Sequence, residues 1–195
     1  MTERRTELLT LAARMFAERG YRATTVRDIA DAAGILSGSL YHHFDSKESI
    51  VDEIMTTFQE ELFGRYEEIV AAGKGPRETL EAVVVASFEA IDAHPAEVAI
   101  YQNEAKHLAQ FDRFAYLDQR NRQFHKLWAG ILTDGVRAGV FRPDLDVDLV
   151  FRFIRDTVWV AVHWYRPGGN LSVHEIAKQY LGILLDGIAT RRRRS

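Results

Sequence analysis

TTVRDIADAAGILSGSLYHHFDSKE, residues 24–48, is the stretch on which the fold turns. Thr24 or Thr25 offers a hydroxyl to an unsatisfied backbone N–H at the start of a helix. Val26, Ile29, Ala30 and Ala33 recur at three- and four-residue spacing, which gives that helix one apolar face. Gly34 ends it, because glycine tolerates the left-handed conformation that follows a helix. Ser37 is then expected to cap a second short helix over residues 38–43. Two short helices across a tight glycine turn make either an ordinary helical corner or a helix-turn-helix, whose second member lies in the DNA major groove. The composition of the second helix separates the two. Ser37, Ser39, Tyr41, His42 and His43 crowd together, with Ile35, Leu36, Leu40 and Phe44 expected to anchor them. Hydroxyls, imidazoles and a phenol suit phosphate and base-edge contacts, and Lys47 follows where its charge would reach a phosphate. Thr25, Arg27, Ser37, Gly38, Ser39, Tyr41, His42 and Lys47 form the candidate DNA-reading set.

The same residues carry a family likeness. TTVRDIADAAG and SGSLYHHFDSKE resemble, without gaps, the N-terminal signature of the TetR-type transcriptional repressors. The resemblance implies an all-α protein of about nine helices: an N-terminal three-helix DNA-binding domain over residues 1–48, then a helical ligand-binding and dimerisation domain over residues 49–195. It also implies that a helix over residues 46–72 links the two and carries motion between them.

Bulk properties agree with a local rather than a global affinity for DNA. The chain has 195 residues, 25 Lys and Arg against 28 Asp and Glu, and a net charge of −3. Residues 1–50 hold seven basic and seven acidic side chains, so even this portion is not strongly cationic. Affinity has to come from a small patch and two-fold symmetry. The absence of cysteine removes disulfide, zinc-thiolate and thiol chemistry. No run approaches the ~20 apolar residues of a membrane span and no signal peptide opens the chain, so a soluble cytoplasmic protein is expected.

Leu8, Leu9, Leu11, Ala12, Met15 and Phe16 make the first helix amphipathic, and Gly20 stops it. Arg14 reads as solvated surface, while Arg4 and Arg5 could form an arm touching the minor groove. Asp45-Ser46-Lys47-Glu48 reads as a capping box closed by Glu48. The helix it opens runs to the break at Gly73-Lys74-Gly75-Pro76 and spans about 40 Å. Further helices are expected over residues 76–93, 95–109, 113–139, 144–165 and 172–189, with no strand.

The last two helices hold more apolar surface than one subunit can hide. Val147, Phe151, Ile154, Val158, Val162 and Tyr165 make one stripe, and Leu149, Val150, Phe153, Val160 and Ala161 add more, so that helix is expected to be deeply buried. Ile176, Tyr180, Leu181, Ile183, Leu184 and Leu185 do the same for the last helix. A four-helix homodimer interface about a two-fold axis would absorb this surface. It would also set two reading helices about 34 Å apart on successive major grooves of a palindromic operator.

A second stripe on the same helix is polar: Arg152, Arg155, Asp156, Trp159, His163 and Arg166 step by three or four. Two accounts fit it. Asp156 and inter-subunit pairs could neutralise the arginines. Alternatively Arg155 could pair a phosphate while Trp159, one turn on, stacks a flat ring, which suits adenine and the phosphates of coenzyme A. Arg120, Arg122 and Arg142 could extend the patch, although solvation explains each. Asn121, Phe124 and Trp128, with Tyr101, Gln102 and Glu104 on the helix before, are the mixture from which bundle pockets are built.

ILSGSLYHHFDSKESIVDEI, ASFEAID, FRPDLDVDLVFRFIRDTVW and HWYRPGG are together similar to the branch of TetR-type repressors that governs late, ring-opening cholesterol breakdown in actinobacteria. That likeness implies an effector that is a CoA thioester of a steroid ring-degradation intermediate, an indanedione propanoate, whose binding releases operator DNA. A regulator of the same fold sensing fatty acyl-CoA or a hydrophobic drug is the alternative. An enzyme is a remote one: His42-His43 with Asp45, or His107 near Glu104, lacks metal-ligand spacing, and no nucleophile sits beside a base. No cofactor, metal or catalytic residue is assigned. The Arg191–Arg194 run reads as a solvated tail able at most to make a weak DNA contact.

Overall fold

The Thr25 hydroxyl accepts from the Asp28 N–H at 3.1 Å, and the Asp28 carboxylate accepts from the Thr25 N–H at 2.8 Å. This reciprocal box starts the second of nine α-helices in a computed structural model that describes residues 3–189. The helices are α1 (Glu3–Arg19), α2 (Val26–Ala32), α3 (Ser37–Tyr41), α4 (Lys47–Ala71), α5 (Pro76–Ala93), α6 (Pro95–Leu108), α7 (Tyr116–Arg137), α8 (Val147–Trp159) and α9 (Val173–Ile188). Two 3₁₀ turns, Asp112–Phe114 and Val160–His163, complete the order. Among the described residues there is no strand, only an isolated bridge between Phe141 and Ala189. The arginine-rich tail at 191–194 lies outside the described residues.

The chain forms two compact units. One comprises Met1–Glu61 with His94–Asp118, the other Leu62–Ala93 with Gln119–Ser195. The first therefore runs past the boundary at residue 48 and includes α6. Its core is built from Leu8, Ala12, Phe16, Ile29, Leu40, Phe44 and Ile50, with α1 packed on both α2 and α6. Gly20 and Gly34 have φ of 86° and 67°, and both turns need that left-handed backbone. In the second unit α5 packs against α8 and α9, burying Leu80, Val83, Val84, Phe88 and Ile91.

Several local expectations are corrected. Leu36, not Ser37, is the N-cap of α3, and no side chain caps it; Ser37 is the first helical residue. Leu36 does not anchor the helix either, being 81% exposed, so Leu40 and Phe44 carry that packing. The box opening α4 is formed by Ser46 and Ser49, which exchange backbone N–H bonds at 3.1 and 3.2 Å. Ser49 stands three residues after the cap, the place the reciprocal bond requires, whereas Glu48 stands only two after it. The helix expected from residue 113 begins at Tyr116, after a tighter turn that buries Phe114. The helix expected to reach residue 165 ends at Trp159, and its last turn narrows to 3₁₀. That turn keeps Ala161 buried, and beyond it the Tyr165 hydroxyl donates to Asp92 at 2.6 Å.

One packing detail carries a prediction. Beyond α7, the N–H groups of Val140 and Phe141 both donate to the Gly135 carbonyl, at 2.9 and 3.0 Å, and the Phe141 ring is fully buried. A Cβ on Gly135 would overlap that ring. Gly135→Ala is expected to cost about 2 kcal/mol, the usual penalty for overpacking a closed core. Urea unfolding measures it; an unchanged midpoint would mean that Phe141 has another rotamer within reach.

Candidate DNA-reading and effector sites

On the first unit, Thr25, Arg27, Gly38, Ser39, Tyr41 and His42 are all exposed, and Ser37 is partly so. Helix α3 buries only Leu40 and turns its small polar residues outward. This is the disposition a groove-reading helix requires. The Thr25 hydroxyl is engaged in the α2 box, where its bond to Asp28 is the main cause holding that carboxyl below its usual range. Arg27 lies 3.7 Å from Asp31 on the same exposed side.

Lys47 is placed differently from the phosphate contact expected of it. Its ammonium donates to the carbonyls of Tyr21 and Thr24, each at 3.0 Å, and lies 4.3 Å from the centre of the Tyr21 ring. The Tyr21 hydroxyl donates to Glu48 at 3.1 Å, and the Tyr21 N–H donates to Glu104 of α6 at 3.2 Å. Burial, then the neighbouring Glu48 carboxylate, pushes the Tyr21 phenol well above its ordinary value. Bonding to the Glu48 backbone N–H holds that carboxyl below the usual range, with Ser46 and Tyr21 adding to the effect. Lys47 and Glu48 thus tie the end of α1 and the start of α2 to α4, and Glu104 ties in α6. Lys47→Met keeps the stem but leaves two carbonyls short of a cationic donor, at a cost of about 2 kcal/mol. Both urea stability and operator affinity should fall. Loss of affinity alone would restore Lys47 to direct phosphate contact.

Arg4 and Arg5 do not form an arm. Arg4 bonds Glu7 at 2.8 Å and the Ala33 carbonyl at 3.1 Å. Arg5 makes a two-pronged pair with Glu53, at 3.0 and 2.6 Å, donates also to the His43 carbonyl, and covers the Phe44 ring at 4.3 Å. The guanidinium is thereby fixed inside the domain, joining α1, the end of α3 and α4. Sequence spacing holds no signal for this, because Arg5 and Glu53 are 48 residues apart.

In the second unit, α8 has three sides. Phe151, Ile154 and Val158 are buried; opposite them Leu149, Phe153 and Val160 are exposed, Phe153 by 61%. Deep burial of the whole helix is therefore not what one subunit provides. Between the two apolar sides lie Arg152, Arg155 and Trp159. Arg155 pairs with Asp156 at 2.7 Å and lies 5.9 Å from the centre of the Phe151 ring, while Arg152 is exposed. Asp156 neutralises Arg155, as the first of the two accounts expected, but on an exposed rather than a buried side of the helix. His163 and Arg166 are exposed and fall beyond α8, so the 3₁₀ turn takes them out of its row.

Trp128 is buried and Phe124 half-buried. Tyr66 stacks edge-on against both, with ring centres 5.7 Å apart in each case, and Phe63 meets Phe124 at 5.2 Å. The Tyr66 hydroxyl shares a 2.5 Å bond with Ser87. His125 joins α7 to α8 through Asp148 at 2.9 Å and against Phe151. Asn121 is exposed, and Tyr101 belongs to the other unit. Of the outlying arginines, Arg120 bonds Gln123 and covers Phe63, Arg142 pairs with Asp144 at 3.6 Å, and Arg122 is exposed. Residues missed from sequence include Tyr66, Ser87 and His125, since nothing distinguishes them from ordinary core or surface before the helices are packed.

Residues 8–54 match the family described as bacterial regulatory proteins, tetR family, and residues 73–188 match its tetracyclin repressor-like C-terminal domain. The chain belongs to the TetR family. It is a transcriptional regulator rather than an enzyme. This TetR-family chain is 65% identical over 187 residues to the HTH-type transcriptional repressor KstR2 of Rhodococcus jostii, spanning 96% of this chain and 92% of that one. The solved structure of the ketosteroid transcriptional regulator KstR2 of Mycobacterium tuberculosis is 59% identical, covers 98% of this chain and 97% of its own, and superposes with a TM-score of 0.95. The TetR-family fold is also similar to that of AibR solved with isovaleryl coenzyme A and operator DNA, at 26% identity and a TM-score of 0.84 over 94% of this chain and 98% of that one. No helix among the described residues is long and apolar enough to cross a membrane.

Proposed function

We propose that this chain is a repressor of steroid breakdown that binds a palindromic operator as a homodimer and is released by a CoA thioester of a steroid ring-degradation intermediate. The observation that carries the reading is the 65% identity to a KstR2 repressor along 96% of the chain. The exposed small polar residues of α3 supply the reading surface. The outer apolar sides of α8 and α9, with Phe153 and Ile183 in the open, supply the subunit contact. Arg155 and Trp159, one turn apart beside that surface, suit the phosphates and adenine of coenzyme A.

Release works by population shift. The effector must favour the pair of reading heads in a spacing that does not fit successive grooves, because equal affinity for both spacings would shift nothing. A gel-shift of operator DNA, titrated with the steroid-derived CoA thioester, free CoA and palmitoyl-CoA, tests the reading. Release by the first at much lower concentration than by the other two is expected. Release by palmitoyl-CoA instead would favour a fatty acyl-CoA sensor, a reading supported by the acyl-CoA bound in AibR.

A further inference from the structure

Among the described residues of the first unit, three large apolar side chains are exposed: Leu36, Tyr41 and Phe111. Two of them bracket α3, and Leu36, at 81%, is barer than any other large apolar side chain described. It also stands where leucine does least for stability. The Leu36 backbone, at φ −69° and ψ 144°, has the conformation of a helix cap, close to that of Ser172 at −72° and 154°. Ser172 closes a reciprocal box on α9, whereas Leu36 leaves α3 without a side-chain cap. A serine at position 36 would satisfy a backbone N–H and take an apolar side chain out of water. The stability of the domain therefore does not account for the leucine. The chain on either side of it is bare, since a Cβ added at Gly34 or Gly38 would meet no neighbouring atom within 4 Å.

We infer that Leu36 is a base-selecting side chain of the reading surface, packing in the major groove against the C5-methyl group of a thymine in each operator half-site. The chemistry available around α3 narrows the choice to this contact. Residues 32–44 contain no Arg, Lys, Asn, Gln, Asp or Glu, the side chains that pair two-pronged with guanine or adenine or accept from cytosine. The hydroxyls of Ser37 and Ser39 bond donor and acceptor edges alike, so they distinguish bases weakly. His42 follows the last residue of α3, away from the end that a reading helix presents to the bases. An aliphatic side chain finds one apolar feature in the major groove, the thymine methyl, and contact removes both surfaces from water. Leu36 is continuous with the exposed Gly38, Ser39 and Tyr41, which places it on the same surface. The inference rests on the reading of the chain as an operator-binding repressor, and it adds which base, and which group on that base, is selected.

The test uses palindromic duplexes enriched from random-sequence DNA by the wild-type protein and, separately, by Leu36→Ser. The wild-type duplex is expected to hold a thymine in each half-site at a position where Leu36→Ser admits other bases. Replacing that thymine by 2′-deoxyuridine removes the methyl group alone. Wild type should lose about fourfold in affinity for one half-site and about fifteenfold for both, the equivalent of ~0.8 kcal/mol for each methyl. Leu36→Ser and Leu36→Ala should be indifferent to the change, and Leu36→Ser should melt about 2–4 °C above wild type as the cap is restored. A wild type blind to deoxyuridine at every thymine overturns the inference, as does a methyl dependence that both variants share. A Leu36→Ser protein that melts below wild type places the leucine in the domain's own packing and overturns it as well. Losses confined to cooperativity between dimers on one duplex, with deoxyuridine silent, assign the side chain to a protein contact, with the same consequence. Enrichment of no sequence by wild type sinks the repressor reading itself, whereas enrichment without methyl dependence sinks only the part given to Leu36.

Discussion

A chain carrying Phe153→Asp and Ile183→Asp is expected to sediment as one subunit and to lose at least about a hundredfold in operator affinity. The two side chains are 61% and 78% exposed and lie on the outer sides of α8 and α9. Covering a large apolar side chain is worth about 1.5–3 kcal/mol, and a two-fold axis counts each position twice. Carboxylates there would instead have to be stripped of water facing one another. Neither residue supports the interior of its own subunit, where Phe151, Ile154, Val158, Leu181 and Leu185 do the packing, so helicity and melting of the single chain should be kept. Operator affinity falls because two linked reading heads gain roughly 10²–10⁴ over one through effective concentration. Analytical ultracentrifugation and a gel-shift check both halves. A double variant that remains a dimer would move the subunit contact to another face.

Arg155→Ala should separate the two activities. Operator binding is expected to stay within about twofold of wild type, since an exposed ion pair contributes at most ~1 kcal/mol to stability and α3 belongs to the other unit. Release by the steroid CoA thioester should need about ten- to a hundredfold more ligand, the equivalent of ~1.5–3 kcal/mol for charge-assisted bonds to a phosphate. Trp159→Leu should act in the same direction through lost stacking. If Arg155→Ala responds to the thioester as wild type does, then the Arg155–Asp156 pair is ordinary surface, and coenzyme A is held elsewhere.

Helix count and order follow from local rules that the residues obey one turn at a time. Thr25 with Asp28 starts α2, Gly34 ends it, Pro76 and Pro95 open α5 and α6, and Asp146 caps α8. The polar face of α3 was legible for the same reason: a five-residue helix with one buried leucine has nowhere to put its serines and Tyr41 except outward. The homodimer reading also begins in sequence, because α8 carries apolar residues on two opposite sides and one core can cover only one of them.

Long-range partners were not legible, because a side chain's employment depends on what arrives beside it. Lys47 looks like a phosphate contact until the carbonyls of Tyr21 and Thr24 close on its ammonium. Arg5 looks like a flexible arm until Glu53 and Phe44 fix it. The arginines of α8 look like buried charges until the exposed side of the helix is known. Gln59 shows the opposite outcome. In sequence it is one more polar residue on a long helix, and only the packing around α4 buries it without giving its amide a protein partner. Periodicity and capping are properties of neighbours in the chain, so the amino-acid order alone determined the elements and the family. Burial and pairing join residues tens of positions apart, so the tertiary structure alone decided which polar groups are already engaged and which buried amide has no protein partner.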